Sequence, residues 1–280
     1  MSRLDFNMLP EDCASTICSL TSPEDACRLS MVSSSFRSAA GSDLVWERFL
    51  PSDYRDILAR TLKPLKFSSK KELFFLFSES ILLDGGKQSF ALEKSSGRKS
   101  FTLSARGLSI LHGNESNHWC WKSLTESRFA EAAELKTTNR IEIEGKIRTQ
   151  MLSPNTTYGA HLIMKISSQS FGLDSIPSEI SVNVGDNVVT NTACLRPKDE
   201  TKQQMQSLFC ANRMQMLKMR VNEGDERLPV ERKDGWMEIS LGEFFSGEVD
   251  EEITMSLMEI KGHQLKGGLI IEGIEVRPKS

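Results

Sequence analysis

Apolar side chains recur at helical spacing through the first fifty residues, in short runs that begin with residues suited to helix starts. Pro10 opens the first run, where its missing N–H has no helical partner to lose. Ser22 can cap the second run ahead of Pro23, and Ser42 starts a third. The spacing predicts three short amphipathic helices over residues 1–50. A unit this small cannot bury all of these apolar groups against itself, so we expect a partner to cover part of it.

A further helical stretch is predicted over residues 51–87. Ser69 can cap its last helix, and Gly85 and Gly86 can end that helix. We interpret the stretch as a helical bridge to the domain that follows. Its aromatic-rich run at 73–77 is expected to form core packing between the bridge and that domain rather than a groove for a partner.

After Gly86 the apolar positions alternate with polar ones instead of following helical spacing. Alternating runs joined by Gly, Asn, Ser and Pro clusters predict antiparallel strands, packed as a sandwich or barrel, over residues 88–280. The predicted fold class is therefore α+β multidomain. Residues 125–135 suit a short helix or a long crossing loop, and residues 196–234 suit an extended loop with a helical turn at 201–209. The alternating runs lie at 90–92, 101–105, 108–110, 141–147, 158–166, 180–184, 236–239, 253–257 and 269–276.

The composition argues against several classes of function. The chain of 280 residues carries 35 Lys and Arg against 38 Asp and Glu, so it lacks the basic surface of a nucleic-acid-binding protein. Its densest apolar stretch, from Leu73 to Leu83, is too short and too interrupted to span a bilayer. Its N-terminus lacks the apolar segment of a secretory signal, and its six cysteines form no Cys-x-x-Cys pair. We therefore expect a cytoplasmic and/or nuclear protein that binds neither nucleic acid nor membrane.

The N-terminal helices carry a specific order of short motifs. Leu-Pro-Glu stands at 9–11, Ser-Pro-Glu-Asp at 22–25 and Val-Trp-Glu-Arg at 45–48. This order resembles the F-box, over residues 1–50, which implies docking on the Skp-type adaptor of cullin–RING ubiquitin ligases. Residues 33–35 are serines where family members often carry Arg or Cys, a departure that touches adaptor affinity more than identity. The resemblance implies that six residues line or support the adaptor interface: Leu9, Pro10, Ile17, Leu29, Val32 and Trp46.

The alternating region carries the motif order of a second family. Its motifs are His-Trp-Cys-Trp at 118–121, Ser-Arg-Phe-Ala-Glu at 127–131, Gly-Trp-Met-Glu-Ile at 235–239 and Gly-Gly-Leu-Ile-Ile-Glu-Gly at 267–273. Together they resemble the phloem-protein-2 domain, the Nictaba-like lectin family, over residues 88–279. The resemblance implies a jelly-roll β-sandwich. With the F-box ahead of it, the chain resembles the plant F-box proteins of the phloem-protein-2 B type.

Two tryptophans in this region suggest a carbohydrate site. Trp119 and Trp121 are two residues apart, so on an extended segment both rings face the same way. A flat indole can stack on the apolar face of a pyranose, and it can equally fill a sandwich core, and the sequence leaves both roles open. The lectin resemblance implies binding of N-acetylglucosamine oligomers or N-glycan cores, through four residues: Trp119, Trp121, Glu238 and Glu243.

Catalytic and metal-binding patterns are weak in this chain. A glycosidase pair could be drawn from Glu142, Glu144, Glu238 and Glu243, but carboxylates on strands are far more often solvated edges. His112, His118 and Cys120 have spacing conceivable for zinc, and we favour a polar loop because a fourth ligand is not apparent. We therefore predict a protein without enzymatic activity, metal or cofactor.

The leading functional hypothesis is a substrate-recognition subunit of a Skp–cullin–F-box ubiquitin ligase. The helices would bind the Skp-type adaptor, and through it the cullin, while the sandwich would present a target protein, glycosylated or not. One alternative is an intracellular lectin whose F-box-like helices are only structural. Another is a carbohydrate-active enzyme on a jelly-roll scaffold. If the tryptophans belong to the core, target contacts are expected in the loops at 111–118 and 196–234.

Overall fold

The computed structural model describes residues 9–174, 177–196, 226–259 and 264–279. The chain divides into two compact units, and the division falls between Phe101 and Thr102, inside a strand. The domain boundaries predicted after residues 50 and 87 follow changes of periodicity rather than this division, and they stay predictions.

The described part of the first unit consists of short helices followed by strands. Four helices lie between residues 9 and 50, rather than the three predicted. The apolar run after Pro23 breaks because Ser33 starts a new helix, its hydroxyl accepting a hydrogen bond from the Phe36 N–H at 3.3 Å. The elements are α1 Glu11–Ser19, α2 Pro23–Leu29, α3 Ser34–Ala39, α4 Asp43–Phe49, α5 Tyr54–Ala59, α6 Lys70–Phe77, β1 Ile81–Leu83, β2 Gln88–Leu92 and β3 Lys99–Ser104.

The predicted serine caps are present in the structure. Ser22 accepts a hydrogen bond from the backbone of Asp25 at 3.1 Å, and Ser69 accepts one from Glu72 at 3.1 Å. Ser42 caps α4 in the same way. Each such cap stabilises its helix by about 1 kcal/mol. Pro10 was predicted at the first helical position. It occupies the N-cap instead, so α1 begins one residue later than predicted, at Glu11.

The core of the first unit is aromatic. Trp46 packs against Phe74 with ring centroids 5.2 Å apart, and its indole N–H donates to the Ala40 carbonyl at 2.8 Å. Phe77 meets Phe90 of β2 edge-on at 5.3 Å. The run at 73–77 therefore contributes core side chains, as predicted, because Phe74 and Phe77 are fully buried.

The second unit contains two antiparallel sheets. In the first, β15, β8, β13 and β12 lie side by side, β6 pairs with β15, and β5 pairs with β6. In the second the order is β11-β10-β9-β14-β7-β4, in which only the short β10–β11 pairing among these described strands is parallel. The strands are β4 Ser109–Ile110, β5 Trp119–Lys122, β6 Ala132–Leu135, β7 Glu142–Arg148, β8 Thr156–Phe171, β9 Ser178–Val184, β10 Asn187–Ala193, β11 Glu226–Arg227, β12 Val230–Glu231, β13 Met237–Ser246, β14 Glu252–Met258 and β15 Gly267–Pro278.

The two sheets face each other across an apolar core. At Gly242 of β13 a Cβ atom would stand 2.7 Å from Val182 of β9, in the opposite sheet. At Gly145 of β7 it would stand 3.0 Å from Ile274 of β15. The backbone of one sheet therefore approaches side chains of the other closely at both points, where an added Cβ would crowd the facing side chain. The predicted sandwich is confirmed.

Three sequence expectations have different outcomes here, and one strand was not expected. The last helix of the predicted bridge ends at Phe77 instead of continuing to Gly85 and Gly86, and Ile81–Leu83 form β1. Residues 125–135 form a loop followed by β6, so the short helix considered for them is absent. Strand β10 was not predicted, because its apolar and polar residues do not alternate along the sequence. In the structure Val188 and Val189 are both exposed. The helical turn expected at 201–209 lies outside the described residues. Within the described part of the chain, no helix has the length and apolar character needed to cross a membrane.

Candidate functional site

The helices of the first unit leave large apolar side chains in water. Their core is closed by Ala14, Cys18, Ala26 and Trp46, all without exposure. Between residues 9 and 50, five large apolar side chains remain outside it, with exposed fractions of 41% for Ile17, 73% for Leu20, 75% for Met31, 55% for Val32 and 78% for Leu44. We call these five the exposed apolar set. Exposed apolar groups gathered in one short segment commonly mark a contact surface for another protein.

The six residues implied for the adaptor interface fall into two groups. Ile17 and Val32 belong to the exposed apolar set, Pro10 is exposed, and Leu9 and Leu29 are half-buried. Trp46 is fully buried, so it can support the surface but cannot line it. Leu20, Met31 and Leu44 of the exposed apolar set are not among the six, since spacing alone does not tell which apolar side chains of such short helices and their turns are covered.

The tryptophan pair lies on β5 beside a loop at 111–118. Both rings point to the same side, as predicted, because the Trp119 indole N–H donates to Leu111 O at 3.0 Å and that of Trp121 to Gly113 O at 3.2 Å. Trp119 is only 2% exposed, whereas Trp121 is half-buried. The guanidinium carbon of Arg106 stands 3.6 Å from the centroid of the Trp121 ring.

These positions change the stacking interpretation. Trp119 offers no free ring face to a sugar, because its side chain fills the space between β5 and the loop. Trp121 already stacks with the Arg106 guanidinium, a cation–π contact, and Arg106 is held in turn by Glu131 at 2.7 Å. An indole of this pair could meet a ligand only through the remaining surface of Trp121.

The structure does not bring the tryptophans and the two glutamates into one site. Trp121 of β5 lies opposite Ala133 of β6, which lies opposite Ile271 of β15. Continuing across the sheet, Ile271 lies opposite Met164 of β8, and Met164 opposite Met237, the neighbour of Glu238. Four strand spacings separate the two ends, about 19 Å. Glu238 therefore belongs to a different part of the sheet.

Glu238 sits in a network of ion pairs on that sheet. Its carboxylate accepts hydrogen bonds from Arg277 at 2.6 and 2.8 Å and from Arg232 at 2.6 Å. Both guanidinium groups also bond to Glu275 at 2.7 Å. Arg128 extends the network, 3.4 Å from the other Glu275 oxygen. Arg232 and Arg277 were not singled out from sequence, because β15 and the loop before β13 are brought together only by the fold.

The network decides the acid–base character of Glu238. Hydrogen bonds from Arg277 and Arg232 outweigh burial and lower the pKa of Glu238 to about 2. A glycosidase general acid needs a raised pKa, so this carboxylate is unsuited to that role. The other three carboxylates considered for a glycosidase pair are also in ion pairs: Glu142 with Arg140 at 2.9 Å, Glu144 with Lys146 at 3.7 Å, and Glu243 with Lys279 at 2.8 Å.

His161 lies beside the same network in a buried position. Its Nδ1 is 3.7 Å from Glu238 Oε1 and has no hydrogen-bond partner among the described residues. Burial, together with the positive charge of Arg277, lowers the pKa of His161 to about 4. The imidazole is therefore neutral at physiological pH.

The loop at 111–118 gathers two histidines and a glutamate. His112 Nδ1 lies 2.7 Å from Glu115 Oε1, and His118 Nε2 lies 3.6 Å from Glu115 Oε2. Cys120, considered from sequence with the two histidines, instead donates its thiol hydrogen to Glu134 at 3.4 Å. Glu115 takes the place that the sequence analysis gave to Cys120.

Taken together, the described units define a class of protein: a small helical module with an exposed apolar set, followed by an antiparallel β-sandwich. Family models match both parts, F-box-like over residues 6–52 and phloem protein 2 over residues 98–278. The Arabidopsis thaliana F-box protein VBF is 47% identical over 98% of this chain and 99% of its own length. F-box protein PP2-B15 of the same plant is 49% identical, over 97% of this chain and 96% of its own.

The chain therefore belongs to the phloem protein 2 family, within the group whose members carry an F-box ahead of that domain. Among solved structures, the Podospora anserina GH26-CBM35 β-(1,4)-mannanase matches 65% of this chain and 28% of its own, with 8% identity and a TM-score of 0.33. A similarity that low carries no argument about function.

Proposed function

We propose that this protein is the substrate-recognition subunit of a Skp–cullin–F-box ubiquitin ligase, acting in the cytoplasm and/or nucleus. The helices of residues 9–50 bind the Skp-type adaptor, and the adaptor connects them to the cullin. The sandwich binds a target protein. The subunit itself transfers no ubiquitin, because its role is to raise the effective concentration of the target near the ligase.

The exposed apolar set is the observation that carries the proposal. Val32 and Leu44 are more than half exposed although α2, α3 and α4 pack on a closed core. Burying apolar surface stabilises by about 25 cal/mol per Å², so such side chains favour a partner that covers them. The set falls inside the segment that matches the F-box-like model. Family membership and exposed surface therefore support the same role.

Recognition of N-acetylglucosamine oligomers or N-glycans is the finer part of the proposal. Trp121 keeps part of its ring accessible, so a glycan on the target would contact the surface of the sandwich around this ring. Glu243 is exposed beside Lys279, but it lies on β13, apart from Trp121. Trp119 and Glu238 take no part in this proposal, because Trp119 is buried and Glu238 is already paired with two arginines.

Direct binding to a purified Skp-type adaptor tests the main proposal. The full chain is compared with Val32→Asp, which places a charge in the exposed apolar set, by calorimetric titration with the adaptor. Val249→Asp is the matched control, because Val249 is also a highly exposed valine but lies in the second unit. Neither substitution touches a core, so both variants are expected to stay folded.

We expect Val32→Asp to weaken adaptor binding by about 2 kcal/mol, roughly thirtyfold, while Val249→Asp binds like the wild type. An unpaired charge must be desolvated at the interface, which the control avoids. Wild-type affinity in Val32→Asp, or an equal loss in both variants, would contradict the proposal.

A further inference from the structure

Three side chains of one loop in the second unit converge without being part of the proposed interfaces. They are His112, Glu115 and His118, whose donor atoms all lie within 4.8 Å of one another. The two imidazole rings are 4.8 Å apart between centroids. Two histidines and one carboxylate are a common ligand set for zinc in proteins.

Backbone and indole hydrogen bonds fix the loop that carries these residues. The Glu115 N–H donates to His112 O at 2.8 Å, and the His118 N–H donates to Glu115 O at 2.9 Å. From β5, the indole N–H groups of Trp119 and Trp121 donate to Leu111 O and Gly113 O of the same loop. The three side chains are therefore presented by a pre-organised loop, which lowers the entropic cost of binding an ion.

The hydrogen bond of His118 fixes its tautomer. Its Nδ1 lies 2.8 Å from Thr137 O. A carbonyl oxygen can only accept, so Nδ1 carries the hydrogen and Nε2 of the neutral ring has a free lone pair. That lone pair is on the atom nearest to Glu115. A backbone carbonyl that orients an imidazole in this way is the usual support of a histidine metal ligand.

His112 has a left-handed backbone conformation. Its φ of 58° lies in a region that is uncommon for residues with a Cβ. Glycine would adopt this conformation without strain. The strained position places the ring against Glu115, and residues held in such conformations cluster at functional sites.

We propose that His112, Glu115 and His118 bind a divalent transition metal ion, with zinc as the best fit. Imidazole nitrogens favour zinc, copper and nickel over magnesium or calcium. The three residues supply three ligands and are at least partly exposed, so the remaining position of a tetrahedral site stays open to water or to a side chain of another protein.

The distances are compatible with this geometry. Two ligand atoms that bind the same tetrahedral zinc lie about 3.4 Å apart. His112 Nδ1 lies 2.7 Å from Glu115 Oε1 and His118 Nε2 lies 3.6 Å from Glu115 Oε2, and one donor atom from each of the three residues falls within 4.8 Å of the others. Small side-chain rotations are enough, because the backbone of the loop already holds the three residues together.

Calorimetric titration of the chelator-treated full chain with zinc sulfate tests the proposal. His112→Asn is chosen because asparagine tolerates the left-handed conformation. His118→Asn keeps a donor near Thr137 O while removing Nε2, and Glu115→Gln keeps the size of the side chain. Cys120→Ser is the matched control, since it removes the thiol two residues from His118 and leaves the proposed ligands intact. Magnesium chloride serves as the control ion.

We expect the wild type and Cys120→Ser to bind one zinc ion with equal affinity and to ignore magnesium. Each of the three ligand variants should lose at least about 10–100-fold in zinc affinity. Cobalt(II) bound to the wild type should show visible ligand-field bands without a thiolate charge-transfer band. Absence of zinc binding, zinc binding unchanged in the three variants, or loss of binding in Cys120→Ser would each overturn the proposal, and none of them would affect adaptor binding.

Discussion

Replacing Trp119 by alanine should destabilise the second unit far more than replacing Trp121, although the two residues share a strand and a chemical type. The Trp119 side chain is 2% exposed, and truncating a buried aromatic costs about 3–5 kcal/mol. Its loss also leaves Leu111 O without the indole donor at 3.0 Å, which places the expected value in the upper part of that range.

Trp121→Ala should lower the free energy of unfolding by less. The ring is half-buried, and its contact with the Arg106 guanidinium is worth about 0.5–1 kcal/mol at an exposed site. The hydrogen bond to Gly113 O adds about 1 kcal/mol. We expect a total loss of roughly 1–2 kcal/mol, from those two contributions together.

Urea denaturation followed by far-ultraviolet circular dichroism measures both values, on the transition of the β-rich unit. Trp119→Phe and Trp121→Phe are the matched controls, because they keep a ring and remove only the indole donor. A Trp121→Ala variant that loses as much stability as Trp119→Ala would refute the assignment of burial. The same proteins decide the sugar question, since any indole-dependent response to N-acetylglucosamine oligomers must disappear in Trp121→Ala.

Two further predictions concern buried charge. Lys266 is fully buried 2.7 Å from Glu259, and burial raises the pKa of Glu259. Lys266→Met leaves this carboxylate buried without its partner, so it should lower the free energy of unfolding by about 3–5 kcal/mol. Adding Glu259→Leu should recover most of that loss. A double-mutant cycle by urea denaturation checks this, and additive losses would contradict it. His161 has a folded pKa of about 4, below its ordinary 6.5, so stability is complete above pH 6.5 and falls by about 3 kcal/mol as pH falls to 4. Urea titrations between pH 4 and 7 should show a flatter profile for His161→Leu, and an unchanged slope would argue against a buried neutral imidazole.

Periodicity predicted the parts of the fold in which one face is buried. Strand β7 places Ile143, Gly145 and Ile147 in the core at every second residue, as its pattern indicates. The caps at Ser22 and Ser69 are local interactions, so the sequence carries them completely. These features depend on neighbours within a few residues.

Long-range contacts could not be read in the same way. Whether Trp119 fills the core or faces water depends on the loop that covers it, and Arg106 reaches Trp121 only in the folded sheet. Glu115 was overlooked beside His112 because a carboxylate in a polar loop has no distinctive spacing. The position of Trp46 in the core, rather than at the surface, likewise depends on Phe74 from a helix more than twenty residues away.

In the proposed function the two units have separate roles: the helices bind the adaptor of the ligase and the sandwich binds the target. Affinity capture from plant extract with the full chain and with Val32→Asp, analysed by mass spectrometry, tests this division of roles. We expect Val32→Asp to lose the Skp-type adaptor and the cullin while retaining the other captured proteins. Equal capture of the adaptor by both proteins, or loss of every captured protein together, would contradict it.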